Sequence, residues 1–212
     1  MIRLFAGFSL SLLLVSTALA QTAAPAADGK SLFRTRTCIA CHGRDGARAI
    51  QNYPELAGQD RVYLFNQMKD IASGTRISGK DERGYPRSQG MKDIMHLVSE
   101  AELQQIADYL AVAPAPKPRQ PETPLDQAAL DKGKAAYTQG GCQSCHGPSG
   151  KKPLASYPTI GGMKREYLML QMAEMRDGIR TNGKSKLMLP FAKKLNNEQI
   201  ELIATYLSQI ER

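Results

Sequence analysis

Cys-x-x-Cys-His occurs twice in this chain, as Cys38-Ile39-Ala40-Cys41-His42 and as Cys142-Gln143-Ser144-Cys145-His146. Two thiols at this spacing add to the two vinyl groups of one haem, and the adjacent His reaches the iron from the same side. These four cysteines are all the cysteines present, so none is left for a structural disulfide or a free catalytic thiol. A zinc ribbon also uses two Cys pairs, but with a short spacing between them. Here the pairs lie 104 positions apart. A thioredoxin-like redox motif has no need of His directly after the second Cys, still less twice. The pattern points to two covalently attached haem c groups, with Cys38, Cys41, Cys142 and Cys145 as the attachment residues and His42 and His146 on the iron.

The same offset recurs across the chain. Gly29-Lys30 matches Gly133-Lys134, Tyr53-Pro54 matches Tyr157-Pro158, and Gly58 matches Gly162. Tyr63-Leu64 and Gln67-Met68 match Tyr167-Leu168 and Gln171-Met172; Gly74 and Arg76 match Gly178 and Arg180. Beyond the Arg the offset falls to 97: Met91 with Met188, Ile106 with Ile203, Tyr109-Leu110 with Tyr206-Leu207. The first copy therefore holds seven extra residues between its Arg and its Met. A repeat this long marks two copies of one domain.

The repeat narrows the second axial ligand. The chain has one further His, His96, so two bis-His sites cannot be made from protein ligands alone. Met/His coordination is typical of c-type haems and raises their potential. Of nine Met residues, only Met68 with Met172 and Met91 with Met188 are Met in both copies. The first pair sits on an apolar helical stripe, where Met packs cores. The second pair lies in irregular sequence ahead of the last helix, where a loop can bring sulfur to an open haem face. Met95 competes in the first copy; its counterpart is Ala192. His96, matched by Lys193, reads as a surface residue.

Each copy reads as helical, with no strand pattern. One helix leads into each haem motif, about 29–36 and 127–138. A second carries the stripes Val62, Phe65, Met68, Ile71 and Met169, Met172, Met175. The last opens on a capping box at Ser99-x-x-Glu102, loosely copied at Asn196-x-x-Gln199, and bears Leu103, Ile106, Leu110 or Ile200, Ile203, Leu207. The predicted fold class is all-α: two small haem domains, 21–110 and 125–212. Between them, 111–124 holds five prolines, which favour extended, semi-rigid chain. Domains of this size build a marginal apolar core alone; a buried haem supplies the missing apolar mass.

Arg3, the apolar stretch Leu4 to Val15 and Ala18-Leu19-Ala20 form a secretory signal peptide over 1–20, cleaved after Ala20. The apolar stretch is short for a membrane span. Export to the periplasm agrees with covalent haem attachment. The chain carries +8, or +7 without Arg3. Four haem propionates offset much of that, and no aromatic-interleaved basic run suggests nucleic acid. The balance permits steering toward an acidic partner.

The whole mature chain resembles the diheme cytochrome c4 family of bacterial electron carriers. The motifs that carry the resemblance are the two attachment sites, Tyr53 to Gly58 and Tyr157 to Gly162, the Tyr-Leu-x-x-Gln-Met helices, the Gly-x-Arg pairs and the late Met. The resemblance implies two class I cytochrome c domains related by a pseudo-twofold, with haems facing across the interface. It also implies Met91 and Met188 as distal ligands, and Pro54 and Pro158 as acceptors for the proximal His. Gly29 and Gly133 read as close-approach positions under the last helix. Arg76 and Arg180 are expected to meet haem propionates. The implied function is one-electron transfer, not enzyme catalysis, with a quinol-oxidising bc-type complex as donor. A haem-copper oxidase or other reductase is the acceptor, with peripheral association to membrane complexes. Two other classes share the motifs: a diheme subunit of a sulfide-oxidising flavocytochrome, and a diheme peroxidase or thiosulfate-oxidising enzyme. The enzymes need an open iron position or an unusual ligand, which a Met in both copies disfavours.

Overall fold

The computed structural model describes residues 28–119, 124–151 and 153–212. The segment expected to be a signal peptide, its expected cleavage site and residues 120–123 of the Pro-rich stretch lie outside them.

The first domain starts with α1 (Gly29–Thr35), capped by Asp28, whose carboxylate accepts from the Ser31 N–H at 2.7 Å. The short α2 (Ile39–His42) carries the first haem motif. Next come α3 (Arg61–Ala72), α4 (Gln89–Met95) and α5 (Glu100–Val112). The second domain repeats the order with α6 (Gln127–Gln139), α7 (Gln143–His146), α8 (Arg165–Arg176), α9 (Leu189–Ala192) and α10 (Asn197–Ser208). Two 3-10 turns, Pro148–Gly150 and Gly183–Met188, complete it. No strand forms among the described residues; one isolated bridge joins Lys80 and Pro86.

Sequence chemistry explains the ends. Ser99 and Glu102 close a full capping box on α5, and Asn196 and Gln199 close the copy on α10. Each satisfies orphan N–H groups of a first turn. α1 packs on α5 and α6 on α10, as expected from Gly29 and Gly133. A Cβ on Gly29 would stand 2.0 Å from the Gln105 carbonyl oxygen; on Gly133 it would stand 2.2 Å from that of Leu202. Only hydrogen fits there. Phe33 and Tyr109 then meet at 6.0 Å between ring centroids, and Tyr137 and Tyr206 at 6.1 Å. Complete burial of Phe33 or Ile106 is worth about 1.5–3 kcal/mol each.

Two expectations need adjustment. The core stripe of α3 is Leu64, Met68 and Ile71, while Val62 is exposed. On α8 the buried face includes Gln171 and Glu174. The second shift has its cause at the interface: Gln171 and Glu174 face the other domain, so burial on α8 follows two partners instead of one apolar side. The Pro-rich stretch is partly packed as well. α5 runs to Val112, Ala115 lies against Gly58, and Arg119 reaches Glu55 at 3.2 Å and the Ala49 carbonyl at 2.9 Å.

Candidate haem sites

The motif helices α2 and α7 place their histidines inward. His42 and His146 are buried, and each Nδ1 lies within hydrogen-bond distance of a proline carbonyl, Pro54 at 2.9 Å and Pro158 at 3.0 Å. A carbonyl can only accept, so Nδ1 donates and Nε2 keeps its lone pair. Such a bond also fixes the ring plane of a metal-binding imidazole. Burial pushes both imidazoles below the ordinary histidine range, against the proline bond that favours the charged form. The neutral ring is the form that ligates iron. The flanking rings of Tyr53 and Tyr157 stand 6.2 Å from His42 and His146.

Opposite His42 stands Met91. Its Sδ lies 3.4 Å from His42 Nε2, although the two residues come from separate elements. In the second domain His146 and Met188 line one cavity of about 460 Å³. Cys142, Pro158, Ile160 and Leu168 share its wall, and Tyr63, Gln67 and Asp70 of the first domain close one side. Neither Met lies in irregular chain: Met91 is on α4 and Met188 ends the turn Gly183–Met188. Short helices escaped the sequence because their few turns show no full amphipathic period. Met95 and Met68 are buried in the first core, Met172 borders the second cavity, and His96 is exposed.

These residues fit haem. The cavity has the volume and the largely apolar wall of a cofactor site. Each domain offers two thiols, one imidazole with its lone pair free, and a thioether facing it or sharing its cavity. Among the described residues no group of three or more His, Cys, Asp or Glu is arranged to hold a metal ion. A set of one His and one Met suits an iron whose other four bonds come from a macrocycle. When bound, haem supplies a one-electron ferric/ferrous couple. The protein's part is to orient the imidazole, exclude water with the buried core, and set the charge nearby.

The two domains meet through a polar interface with visible pseudo-twofold symmetry. Arg76 donates to the Tyr167 hydroxyl and the Gln171 side-chain oxygen, both at 3.1 Å. Its counterpart Arg180 donates to Tyr63 at 3.2 Å and Gln67 at 2.8 Å. Both arginines thus reach partners in the opposite domain, and Arg180 also donates to Gln171 of its own at 2.5 Å. Tyr63 is half-buried here. Burial raises its phenol pKa, but Arg180 and Arg76 outweigh that and draw it below the ordinary value. Gln59 pairs with both the N–H and the carbonyl of Thr159 at 2.8 Å.

A cytochrome c family model matches residues 26–113 and again 130–211. The chain belongs to the cytochrome c family. Within it, a cytochrome c4 of Pseudomonas aeruginosa is 36% identical over 203 residues, covering 94% of this chain and 95% of that protein. The crystal structure of reduced recombinant cytochrome c4 from Pseudomonas stutzeri superposes with a TM-score of 0.71 at 29% identity, over 86% of this chain and 97% of that one. A thiosulfate dehydrogenase electron acceptor of Stutzerimonas stutzeri is 28% identical over 218 residues, covering 92% of each. The all-α tandem fold and the two covalent haem c groups are therefore those of a cytochrome c4-type electron-transfer protein.

Sequence reasoning missed the interdomain residues. Glu174, Asn182 and Lys164 are buried and polar. The one available signal was Gln in both Tyr-Leu-x-x-Gln-Met helices, a polar residue held at the same place beside an apolar stripe.

Proposed function

We propose that this protein is a periplasmic one-electron carrier, exported by a signal peptide cleaved after Ala20, and not an enzyme. Cys38 with Cys41, and Cys142 with Cys145, hold the two haems. His42 and Met91 bind one iron; His146 and Met188 bind the other. The domains are 21–110 and 125–212, joined by 111–124. The observation that carries this reading is the approach of Met91 Sδ to His42 Nε2 at 3.4 Å, with Met188 and His146 on one cavity. A protein ligand on both faces of each iron leaves no position for substrate. Among the described residues no helix is long and apolar enough to cross a membrane, which accords with docking to membrane complexes from outside. The donor is a quinol-oxidising bc-type complex, and the acceptor a haem-copper oxidase or another reductase.

A second reading has a specific observation behind it. The full-length similarity to a thiosulfate dehydrogenase electron acceptor favours a dedicated acceptor for a sulfur-oxidising enzyme. Both readings require two six-coordinate low-spin haems. Electron paramagnetic resonance of the native ferric protein should show only low-spin signals; a substantial high-spin signal would overturn the carrier reading. Mixing the ferric protein with a bc-type complex and quinol, or with thiosulfate and its dehydrogenase, then separates the two donors by reduction rate.

A further inference from the structure

The distal-ligand segments of the two domains are not held by their own domains alone. In the first domain, Ser78 to Ser88 forms a small hairpin. The Ser88 N–H donates to the Ser78 hydroxyl at 2.8 Å, and the Arg87 N–H donates to the Gly79 carbonyl at 3.0 Å. The hairpin runs straight into α4, whose first turn is set by the Lys92 N–H on the Ser88 carbonyl at 2.9 Å and which bears Met91. At its base the Gly79 N–H donates to Glu174 Oε1 at 2.8 Å, and the Arg87 guanidinium stands 3.7 Å from the same oxygen. Glu174 belongs to α8 of the second domain. It is 4% exposed, and its other oxygen accepts from Gln171 at 3.1 Å.

The second domain has the mirror arrangement. Asn182 is 2% exposed and donates to Asp70 Oδ2 of α3 at 2.6 Å. Asn182 also starts the turn that ends in Met188: Ser185 bonds its carbonyl through the N–H at 2.8 Å, and its side-chain oxygen through the hydroxyl at 2.8 Å. A Cβ on Gly79 would lie 3.3 Å from Glu174 Oε1, and one on Gly183 3.5 Å from Asp70 Oδ2. Asp70 with Glu174, Ser78 with Asn182, and Gly79 with Gly183 are all separated by 104 positions, the offset of the repeat.

We propose that Asp70 and Glu174 are crossed positioning residues: each carboxylate fixes the distal-Met segment of the opposite domain, so that iron ligation in one domain depends on the packing of the other. Neither acid touches a ligand. Each acts through the chain that carries the Met, as a bond behind a ligand orients it. The consequence is a coupling path between the haem sites.

The inference rests on Met91 and Met188 as distal ligands, and the test keeps the two apart. In ferric holoprotein, M91A and M188A assign the two shifted Met-methyl resonances to their haems. If M91A removed neither, the ligand reading would fail whatever the anchors do. With the resonances assigned, Glu174→Ala leaves the buried Gly79 N–H without its partner. Losing one such partner suffices for about a tenfold change in an equilibrium. At fixed alkaline pH the population of haem one with Met detached should rise about tenfold, while haem two behaves as in the parent. Asp70→Ala should give the reverse. Glu174→Gln keeps an acceptor for Gly79 but removes the charge facing Arg87, and should shift haem one by less. It serves with Asn182→Ala if an alanine at the acids prevents folding. An effect confined to the haem of the substituted acid's own domain, an equal effect on both haems, or none would overturn the proposal.

Discussion

The distal segments of the two domains differ more than any other matched pair of regions. The first spends its seven extra residues on a hairpin closed by Ser78 and Ser88; the second passes from Asn182 to Met188 in a single 3-10 turn. Both nevertheless bring a Met to a buried His, facing it in the first domain and sharing its cavity in the second. The length between is free because both ends are fixed. Upstream, the segment leaves a long helix and is pinned to the opposite domain. Downstream, it enters a capped last helix, whose position the glycine crossing sets. An insertion between two fixed ends is absorbed at the surface, as loop insertions usually are. The position of each Met is thus a property of the scaffold.

The sharpest way to break the comparison is to remove each sulfur in turn. Met91→Ala and Met188→Ala should each abolish half of the far-red Met–iron absorbance and lower the potential of one haem only, since the Met ligand raises it. Substituting Met68, Met95 or Met172 should leave the band intact. Loss of the band in M95A, with retention in M91A, would assign the first domain's ligand to α4's other sulfur and undo the equivalence of the two segments.

Much of this was legible in advance for a physical reason. A haem site is built from local motif plus repeat, and both are one-dimensional. Cys38 to His42 needs only spacing, and pairing Met91 with Met188 as candidate ligands needs only alignment of two copies. The Gly29 and Gly133 crossing followed in the same way, whereas the role of the Pro54 and Pro158 carbonyls came from the family resemblance. What the sequence concealed is what depends on the second domain's position. Glu174 and Gln171 look like surface but are buried. Arg76 and Arg180, matched in both copies, suggested anionic propionates and gave no hint that each reaches a Tyr and a Gln across the interface. A polar residue that repeats signals a conserved environment without saying which of two environments it is.

The glycine crossings sharpen the comparison at the level of stability. Gly29→Ala and Gly133→Ala each drive a methyl into a backbone carbonyl, 2.0 or 2.2 Å away, which cannot rotate aside. Overpacking of this kind costs about 1–3 kcal/mol. Thermal unfolding followed at the haem Soret band should show the two variants equally destabilised, because the two crossings are equivalent. A loss in one variant only would mean that the haem or the interface, and not helix packing, sets that domain's stability.

Smallest in size but most informative is the effect expected at Lys164, where the pseudo-twofold fails. Its counterpart Asp60 caps α3 by accepting from the Tyr63 N–H at 2.7 Å. Lys164 instead reaches out of the second domain into the loop after the first haem motif. There its ammonium donates to the Ala49 carbonyl at 2.5 Å and the Gln51 carbonyl at 2.8 Å. Its charge is felt at His42, where it disfavours the imidazolium. A cation near one haem and not the other stabilises the less positive ferrous state of that haem alone, and so raises its potential. At an effective dielectric near 20, a unit charge about 10 Å away amounts to tens of millivolts. Lys164→Met should therefore lower the potential of haem one by tens of millivolts and leave haem two in place, with Lys164→Arg restoring most of it. Burial, with Arg119 nearby, holds the lysine's pKa below its ordinary value. Raising the pH through that range removes the charge, so the potential of haem one should fall there in the parent protein and stay flat in the Met variant. A redox titration fitted to two Nernst components reads both effects. If K164M moved the two components together, the lysine would act through the interface as a whole, and the difference between the haems would have to come from the unequal distal segments.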